Sequence, residues 1–304
     1  MFTTKKLNDI KIKPVISHSN ENKDTIRGYD YYPEVYSNIA LLARKKSGKT
    51  NCIYRALEKC AYNCDVYIFA PTVNIDPTYK KMIKMLKKKK CKVYAQEHFR
   101  DGKEDMLSDL LLHLKERYKD DDEPEHARTQ PQQAAFPLLL LDNDNNTNFE
   151  AVHAGRGRQM VMRKAASVIK IKKEEKGGKG KMIGPDSILI FDDLSSDMRC
   201  NQIYQLLTKN RHYKLKVFMA LHSITNLLPG AINCLDYIQV FGNVPDNRID
   251  ELREKACIEF AEDTKKVSKL QQLYNYATST PWSFLFIDSA GGKYRRNYDE
   301  LIEV

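Results

Sequence analysis

From Ser37 onward, short uninterrupted apolar runs alternate with stretches whose apolar positions recur every three to four residues. Asn38-Ile-Ala-Leu-Leu-Ala43 is a run of the first kind, the pattern of a strand buried on both faces. After Thr50 the period changes: Cys52, Ile53, Ala56, Leu57, Cys60 and Ala61 fall at helical spacing. Asp65-Val-Tyr-Ile-Phe-Ala70 then predicts a second buried strand, stopped by Pro71. Strand–helix–strand over about thirty residues is the unit from which parallel sheets are built. Further strands are predicted at Lys92–Ala95, Ser187–Phe191, Leu215–Leu221, Tyr237–Phe241 and Ser283–Asp288. Helices between them are marked by Ile203, Leu206 and Leu207, then by Ile249, Leu252, Ala256 and Phe260 with Asp246 as N-cap, and then by Val267, Leu270, Leu273, Tyr274 and Ala277. The alternation predicts an α/β protein with a mostly parallel sheet and helices on both faces.

Two stretches break the pattern. Residues 1–30 are polar and irregular and read as a tail or a strand-like arm ahead of a single domain over 31–304. Residues 119–186 open on Asp120-Asp-Asp-Glu123, pass through Gln/Pro-rich and Asp/Asn-rich sequence, and end in a Gly/Lys run. That composition predicts an insertion with mobile surface loops at 119–136 and 170–184, and a strand at Leu138–Leu141 inside it.

Composition narrows the class. Of the 304 residues, 42% are hydrophobic and 10% aromatic, enough for a sizeable core. No apolar run approaches the roughly 20 residues of a membrane-spanning helix. The N-terminus lacks a signal-peptide apolar core, so the expectation is a protein that is not secreted. Seven scattered Cys without a C-x-x-C pair read as reduced thiols of an intracellular protein. The net charge of +10 is unevenly spread: residues 80–92 hold eight Lys and no acid, and 155–181 hold ten Lys or Arg against Glu174 and Glu175. These segments carry +16 together, so the rest nets −6. A localised positive surface suits a polyanion, although solvated lysine faces are also common.

The candidate chemistry begins at Ala43-Arg44-Lys45-Lys46-Ser47-Gly48-Lys49-Thr50, between the first strand and the first helix. This is the P-loop spacing G-x-x-x-x-G-K-[ST] with Ala43 at the first Gly position. Backbone N–H groups of such a loop cradle phosphates; Gly48 allows close approach, Lys49 reaches the β- and γ-phosphates, and Thr50 offers a hydroxyl to Mg²⁺. The expected ligands are therefore ATP and Mg²⁺. Ala43 is expected to cost the loop some backbone freedom, since alanine resists positive φ. A second carboxylate-bearing strand is supplied by Ser187-Ile-Leu-Ile-Phe-Asp192-Asp193, four apolar residues running into two acids at the carboxyl end, where open α/β sheets bind ligands. Asp192 is the candidate for Mg²⁺ and Asp193 for orienting or deprotonating water. The strand Leu215–Leu221 ends at His222-Ser223, two candidates for a γ-phosphate sensor, His222 being equally readable as a satisfied strand-end histidine. Arg211 precedes that strand, at the far end from its own nucleotide. It is either a surface ion-pair residue or a group placed for a neighbouring subunit's site.

Taken together, Ala43–Thr50, Ile188–Asp193, Arg211-His212 before Lys216–His222, and Trp282–Asp288 with Tyr294-Arg295 resemble the viral DNA-packaging ATPases of the FtsK–HerA superfamily, in that family's order and over residues 31–300. The related group includes those of poxviruses, other large DNA viruses, virophages and Maverick-type elements. The resemblance implies a RecA-like motor, a homo-oligomeric ring with a hexamer favoured, double-stranded DNA and capsid or vertex proteins as partners, and a place in the virion or the infected cell. It implies an arginine finger, carried onto Arg211. Two positions depart from the family pattern: Ala43 for Gly, and His222 where a polar sensor such as Gln is usual. A P-loop kinase acting on a small phosphoacceptor and a non-catalytic nucleotide-binding assembly protein are the alternative readings.

Overall fold

The computed structural model describes residues 25–101, 104–119, 182–194, 197–260 and 268–304. The first strand, β1 (Asn38–Leu42), is buried along its whole length and leads into α1 (Lys49–Cys60), which packs Ile53, Ala56, Leu57 and Cys60 inward. β2 (Asp65–Phe69) follows, then α2 (Pro77–Lys88), whose N-cap Asp76 accepts a hydrogen bond from the Thr78 amide with Pro77 at the first helical position. The chain continues through β3 (Lys92–Gln96), a short hairpin of β4 (Arg100–Asp101) and β5 (Glu104–Asp105), and α3 (Met106–Lys119). After residue 181 come β6 (Ser187–Asp192), α4 (Asn201–Thr208), β7 (Leu215–Leu221), α5 (Pro229–Ile232), β8 (Tyr237–Phe241), α6 (Asp246–Lys255), α7 (Lys269–Ala277), β9 (Phe284–Asp288), β10 (Lys293–Arg296) and β11 (Glu300–Ile302).

Among the described residues, nine strands form one sheet in the order β11-β10-β9-β8-β1-β7-β6-β2-β3. From β8 to β3 every pairing is parallel, and β9, β10 and β11 add an antiparallel wing. The five strands β8-β1-β7-β6-β2, numbered along the chain within the parallel core, run 5-1-4-3-2, a RecA-like arrangement. Strand alternation explains how continuous apolar runs are used. Ile39, Leu41, Ile188, Ile190 and Phe218 face α1 and α2, while Ala40, Leu42, Leu189, Phe191, Val217 and Met219 face a second layer with Leu107, Leu110, Ile203, Leu206 and Leu273. Each such Val, Leu, Ile, Phe or Met side chain removed from water contributes about 1.5–3 kcal/mol.

The far end of the sheet is held by polar groups. Lys216, fully buried in β7, donates to the Glu34 carbonyl at 2.7 Å and the Ser37 hydroxyl at 2.8 Å, and burial lowers its pKa. The Asn38 side chain donates to the carbonyls of Leu207 and Cys234.

Several expectations need adjustment. Within residues 25–30, expected as the end of a tail or strand-like arm, Ile26 is buried and forms a parallel bridge with Ile183, a residue expected in a mobile loop. Residues 1–24, the Leu138–Leu141 strand, the Gly/Lys run and Val267 lie outside the described residues. The N-cap of α6 is Pro245, and Asp246 stands inside the first turn, accepting instead from the Gln271 side chain at 3.0 Å. That helix ends at Lys255, so Phe260 lies beyond it and packs on Tyr294 with ring centroids 5.4 Å apart. Among the described residues, no helix is long and apolar enough to cross a membrane.

Candidate functional site

Parallel pairing brings the carboxyl ends of β1, β6 and β7 side by side, and the candidate residues converge there. Leu42 pairs with Leu221, and Asp192 pairs with Ala220. The segment Ala43–Thr50 turns from β1 into α1 through two left-handed residues, Lys46 (φ 62°) and Gly48 (φ 96°). Ala43 is not one of the positive-φ residues, so the cost expected of alanine at the first loop position is not incurred; the strained geometry falls at Lys46. Gly48 is the N-cap of α1 and offers no capping side chain, and no acid lies in the first turn. The first-turn N–H groups thus meet no competing side-chain acceptor, and the positive end of the helix points at the loop.

Lys49 is buried. Its ammonium donates to the Ala43 carbonyl at 3.1 Å and lies 3.7 Å from Asp193 Oδ1. Burial lowers the Lys49 pKa, while the charges of Asp193 and Asp192 pull it back up. Thr50 Oγ1 donates to Asp192 Oδ2 at 2.7 Å. The same oxygen accepts from the Tyr79 hydroxyl of α2. Strand alternation accounts for this meeting: Asp192 follows Ile188 and Ile190 onto the face covered by α1 and α2. Burial raises the Asp192 pKa, and the hydrogen bonds from Tyr79 and Thr50 lower it in part.

Asp193 begins the turn after β6 with φ 58°. That left-handed step carries its carboxylate away from Asp192's partners and toward Lys49 and His222. His222 Nε2 is 3.1 Å from Asp193 Oδ1, and Nδ1 is 3.1 Å from the Ala43 carbonyl, so both ring nitrogens face acceptors. Of the two sensor candidates only His222 joins the cluster. Ser223 caps the next turn, accepting from the Thr225 amide and the Arg248 guanidinium and donating to Glu251.

The loop's fitness for phosphate can be tested on Ser47. Its hydroxyl is buried and has no hydrogen-bond partner among the described residues, a cost of about 1–3 kcal/mol that an anion in the loop would relieve. Among the described residues no group of three or more His, Cys, Asp or Glu is placed to hold a metal ion. Thr50 and Asp192 fit Mg²⁺, which commonly takes one or two protein oxygens and completes its shell with phosphate and water.

Arg211 stands elsewhere, ahead of β7 at the opposite end of the sheet. Its guanidinium is 2.9 Å from Glu34 and 3.5 Å from Asp236, and the side chain remains 61% exposed. A cavity of about 790 Å³ beside β10, lined by Tyr29, Tyr31, Asp288, Lys293, Arg295 and Tyr298, includes none of the candidate residues.

Two neighbours of the site do not stand out from sequence alone. Tyr79 is legible only as an inward position of a helix opened by Asp76-Pro77. Trp282, expected at the start of β9, sits in a turn before it, 74% exposed and at φ 66°. A Cβ added to Gly48 would lie 3.6 Å from its Cε3 atom. The left-handed conformation costs a residue with a bulky side chain on the order of 1–2 kcal/mol.

No protein-family model matches the chain, and no curated protein matches it. Among solved structures it is similar to the genome-packaging NTPase B204 from Sulfolobus turreted icosahedral virus 2 in complex with AMP, at 14% identity over 86% of this chain and 96% of that one, with a TM-score of 0.48. It is similar to B204, the DNA-packaging ATPase from Sulfolobus turreted icosahedral virus, at 13% identity over 85% and 95%, with a TM-score of 0.44. EssC (ATPases 2 and 3) from Geobacillus thermodenitrificans follows at 10% identity, with 87% of this chain, 38% of that chain and a TM-score of 0.34. The first two are viral genome-packaging proteins by their descriptions.

Proposed function

We propose that this chain is an ATPase that moves double-stranded DNA, packaging a viral genome into its capsid as a homo-oligomeric ring. The observation that carries the catalytic half is the convergence of Lys49, Thr50, Asp192, Asp193 and His222 from three strand ends onto one loop. In this reading the loop amides and Ser47 hold phosphate oxygens, and Lys49 leaves the Ala43 carbonyl for the β/γ-phosphates. Thr50 and Asp192 would hold Mg²⁺, which supplies charge neutralisation on the phosphates when bound. Asp193, half-exposed and beside His222, orients the attacking water and accepts its proton. His222 fixes Asp193 and senses the phosphate end.

The DNA half is supported by charge. Helix α2 carries exposed Lys80, Lys81, Lys84 and Lys88 on the side away from Tyr79, Met82 and Leu86. Arg211, exposed and remote from its own loop, suits a neighbour's site in a ring.

The test is ATP hydrolysis by the purified chain with and without double-stranded DNA, alongside the Lys49→Ala variant and a measured oligomer mass. Hydrolysis that rises with DNA and vanishes in folded Lys49→Ala is the expected result. Hydrolysis in Lys49→Ala near the wild-type rate removes the site assignment. Phosphate transfer to a small acceptor, with no response to DNA, favours the kinase reading instead.

A further inference from the structure

We propose that Trp282 is the stacking platform for the base of the bound nucleotide. This rests on reading Ala43–Thr50 as the nucleotide site and goes beyond it by locating the base.

The first support is conformational. Thr280-Pro281-Trp282-Ser283 is a tight turn closed by the Ser283 amide on the Thr280 carbonyl at 3.3 Å. Proline second and a positive-φ residue third is the pattern of a type II turn, whose third position favours Gly or Asn. The chain's only tryptophan occupies it instead, at φ 66°. The turn is fixed from two further directions, by the Ser283 hydroxyl on the Thr280 carbonyl and by Arg296 on the Thr280 hydroxyl at 2.8 Å. A bulky residue held in a conformation suited to glycine, and itself 74% exposed, gains little from packing to offset the strain. Strain kept in place by its surroundings is a mark of a functional position.

The second support is direction. The groups suited to the terminal phosphate and Mg²⁺ stand at the ends of β6 and β7, on one side of β1. Trp282 stands on the other side, just before β9, where Phe284 pairs with Phe241 at the end of β8. Its ring edge lies at contact distance from the space above Gly48. A nucleotide with its last phosphate at Lys49 and Asp193 therefore extends its sugar and base away from β6, toward the indole. Stacking on an indole tolerates any base, because every base has a π-face.

The experiment uses the full chain with Mg²⁺ and compares ATP with inorganic tripolyphosphate, which has phosphates but no base. Binding is followed by calorimetry and by the fluorescence of the single tryptophan. ATP is expected to change that fluorescence and tripolyphosphate to leave it unchanged. Trp282→Gly should weaken ATP binding roughly five- to 150-fold, the range of aromatic–base stacking. It should leave tripolyphosphate binding unaltered and leave thermal stability equal or higher, because glycine suits the φ. Trp282→Phe should retain most of the ATP affinity. The inference is overturned if Trp282→Gly binds ATP as the wild type does, or weakens both ligands equally. If the wild type binds neither ligand, the nucleotide reading itself fails, an outcome distinct from the loss of the base platform alone.

Discussion

The Tyr79 hydroxyl donates to Asp192 across 113 residues of sequence, onto the same carboxylate oxygen that accepts from Thr50. One buried carboxylate thus ties α1, α2 and β6 together at the phosphate end of the sheet. Burial favours its protonated form, and the two donors oppose this by stabilising the carboxylate. Tyr79→Phe removes one donor, so Asp192 should hold its proton to higher pH. The acid limb of the hydrolysis profile should then move upward, and the Mg²⁺ concentration for half-maximal activity should rise about tenfold, as expected for one hydrogen bond to a charged group. An unchanged limb together with unchanged Mg²⁺ dependence would refute this.

The two acids should separate by function. Asp193→Asn leaves the Thr50–Asp192 contact intact, so ATP affinity should stay within about tenfold while turnover falls by on the order of 10²–10⁴. Asp192→Asn should instead raise the Mg²⁺ requirement. Single-turnover rates and nucleotide affinities of both variants decide the matter, and exchanged phenotypes would exchange the roles.

Arg211 is engaged with Glu34 and Asp236 in the isolated chain. An exposed pair of this kind contributes only about 0.2–1 kcal/mol, so a neighbouring nucleotide can draw the guanidinium away at small cost. Arg211→Ala should bind ATP and DNA yet hydrolyse poorly. Mixed with Lys49→Ala in one ring it should recover partial activity, because intact loops then meet intact arginines. Mixed rings without recovery would exclude action between subunits.

Asp236 gives the fold a pH signature. Burial first, opposed by the Asn38 amide bond, pushes its pKa up to about 6. The unfolded chain releases this proton at about pH 3.9. Between these values the native state binds more protons than the unfolded state, so stability falls as pH rises through the window and the loss is complete above about pH 6. The difference amounts to on the order of 3 kcal/mol. Asp236→Asn should flatten denaturation midpoints between about pH 4 and 6; an undiminished slope would assign it to other groups.

Neutralising Lys80, Lys81, Lys84 and Lys88 on α2 should weaken DNA binding. The log–log salt slope should become shallower by roughly 0.9 for each DNA phosphate that the variant no longer neutralises. An unchanged slope would leave these lysines as a solubilising face.

Much of this arrangement is legible in the sequence because buried parallel strands require uninterrupted apolar runs. β1, β2, β6, β7 and β8 announce themselves that way, and Lys49, Thr50, Asp192 and Asp193 sit where such strands must end. The short antiparallel strands are less legible. Lys293–Arg296 and Glu300–Ile302 are exposed or half-buried on much of their length and too brief to impose alternation. Tyr79 and Trp282 act through where the fold carries them, one through helix packing and one through a turn, and residue type alone does not announce either role. Arg211 shows the limit of motif reading: its position at the far sheet end follows from strand order, whereas its engagement with Glu34 and Asp236 depends on loops that periodicity does not describe.

Tyr118, near the end of α3, donates to Asp186 at the threshold of β6 at 3.2 Å. The two residues thus stand within hydrogen-bond reach although 68 positions separate them in sequence. Their closeness follows from the packing of α3 on the sheet, where Leu107, Leu110 and Leu114 join Leu189 and Phe191 in one core. The placement of α3 beside β6 is consequently a property of that shared core, and the Tyr118–Asp186 contact is its polar outer edge.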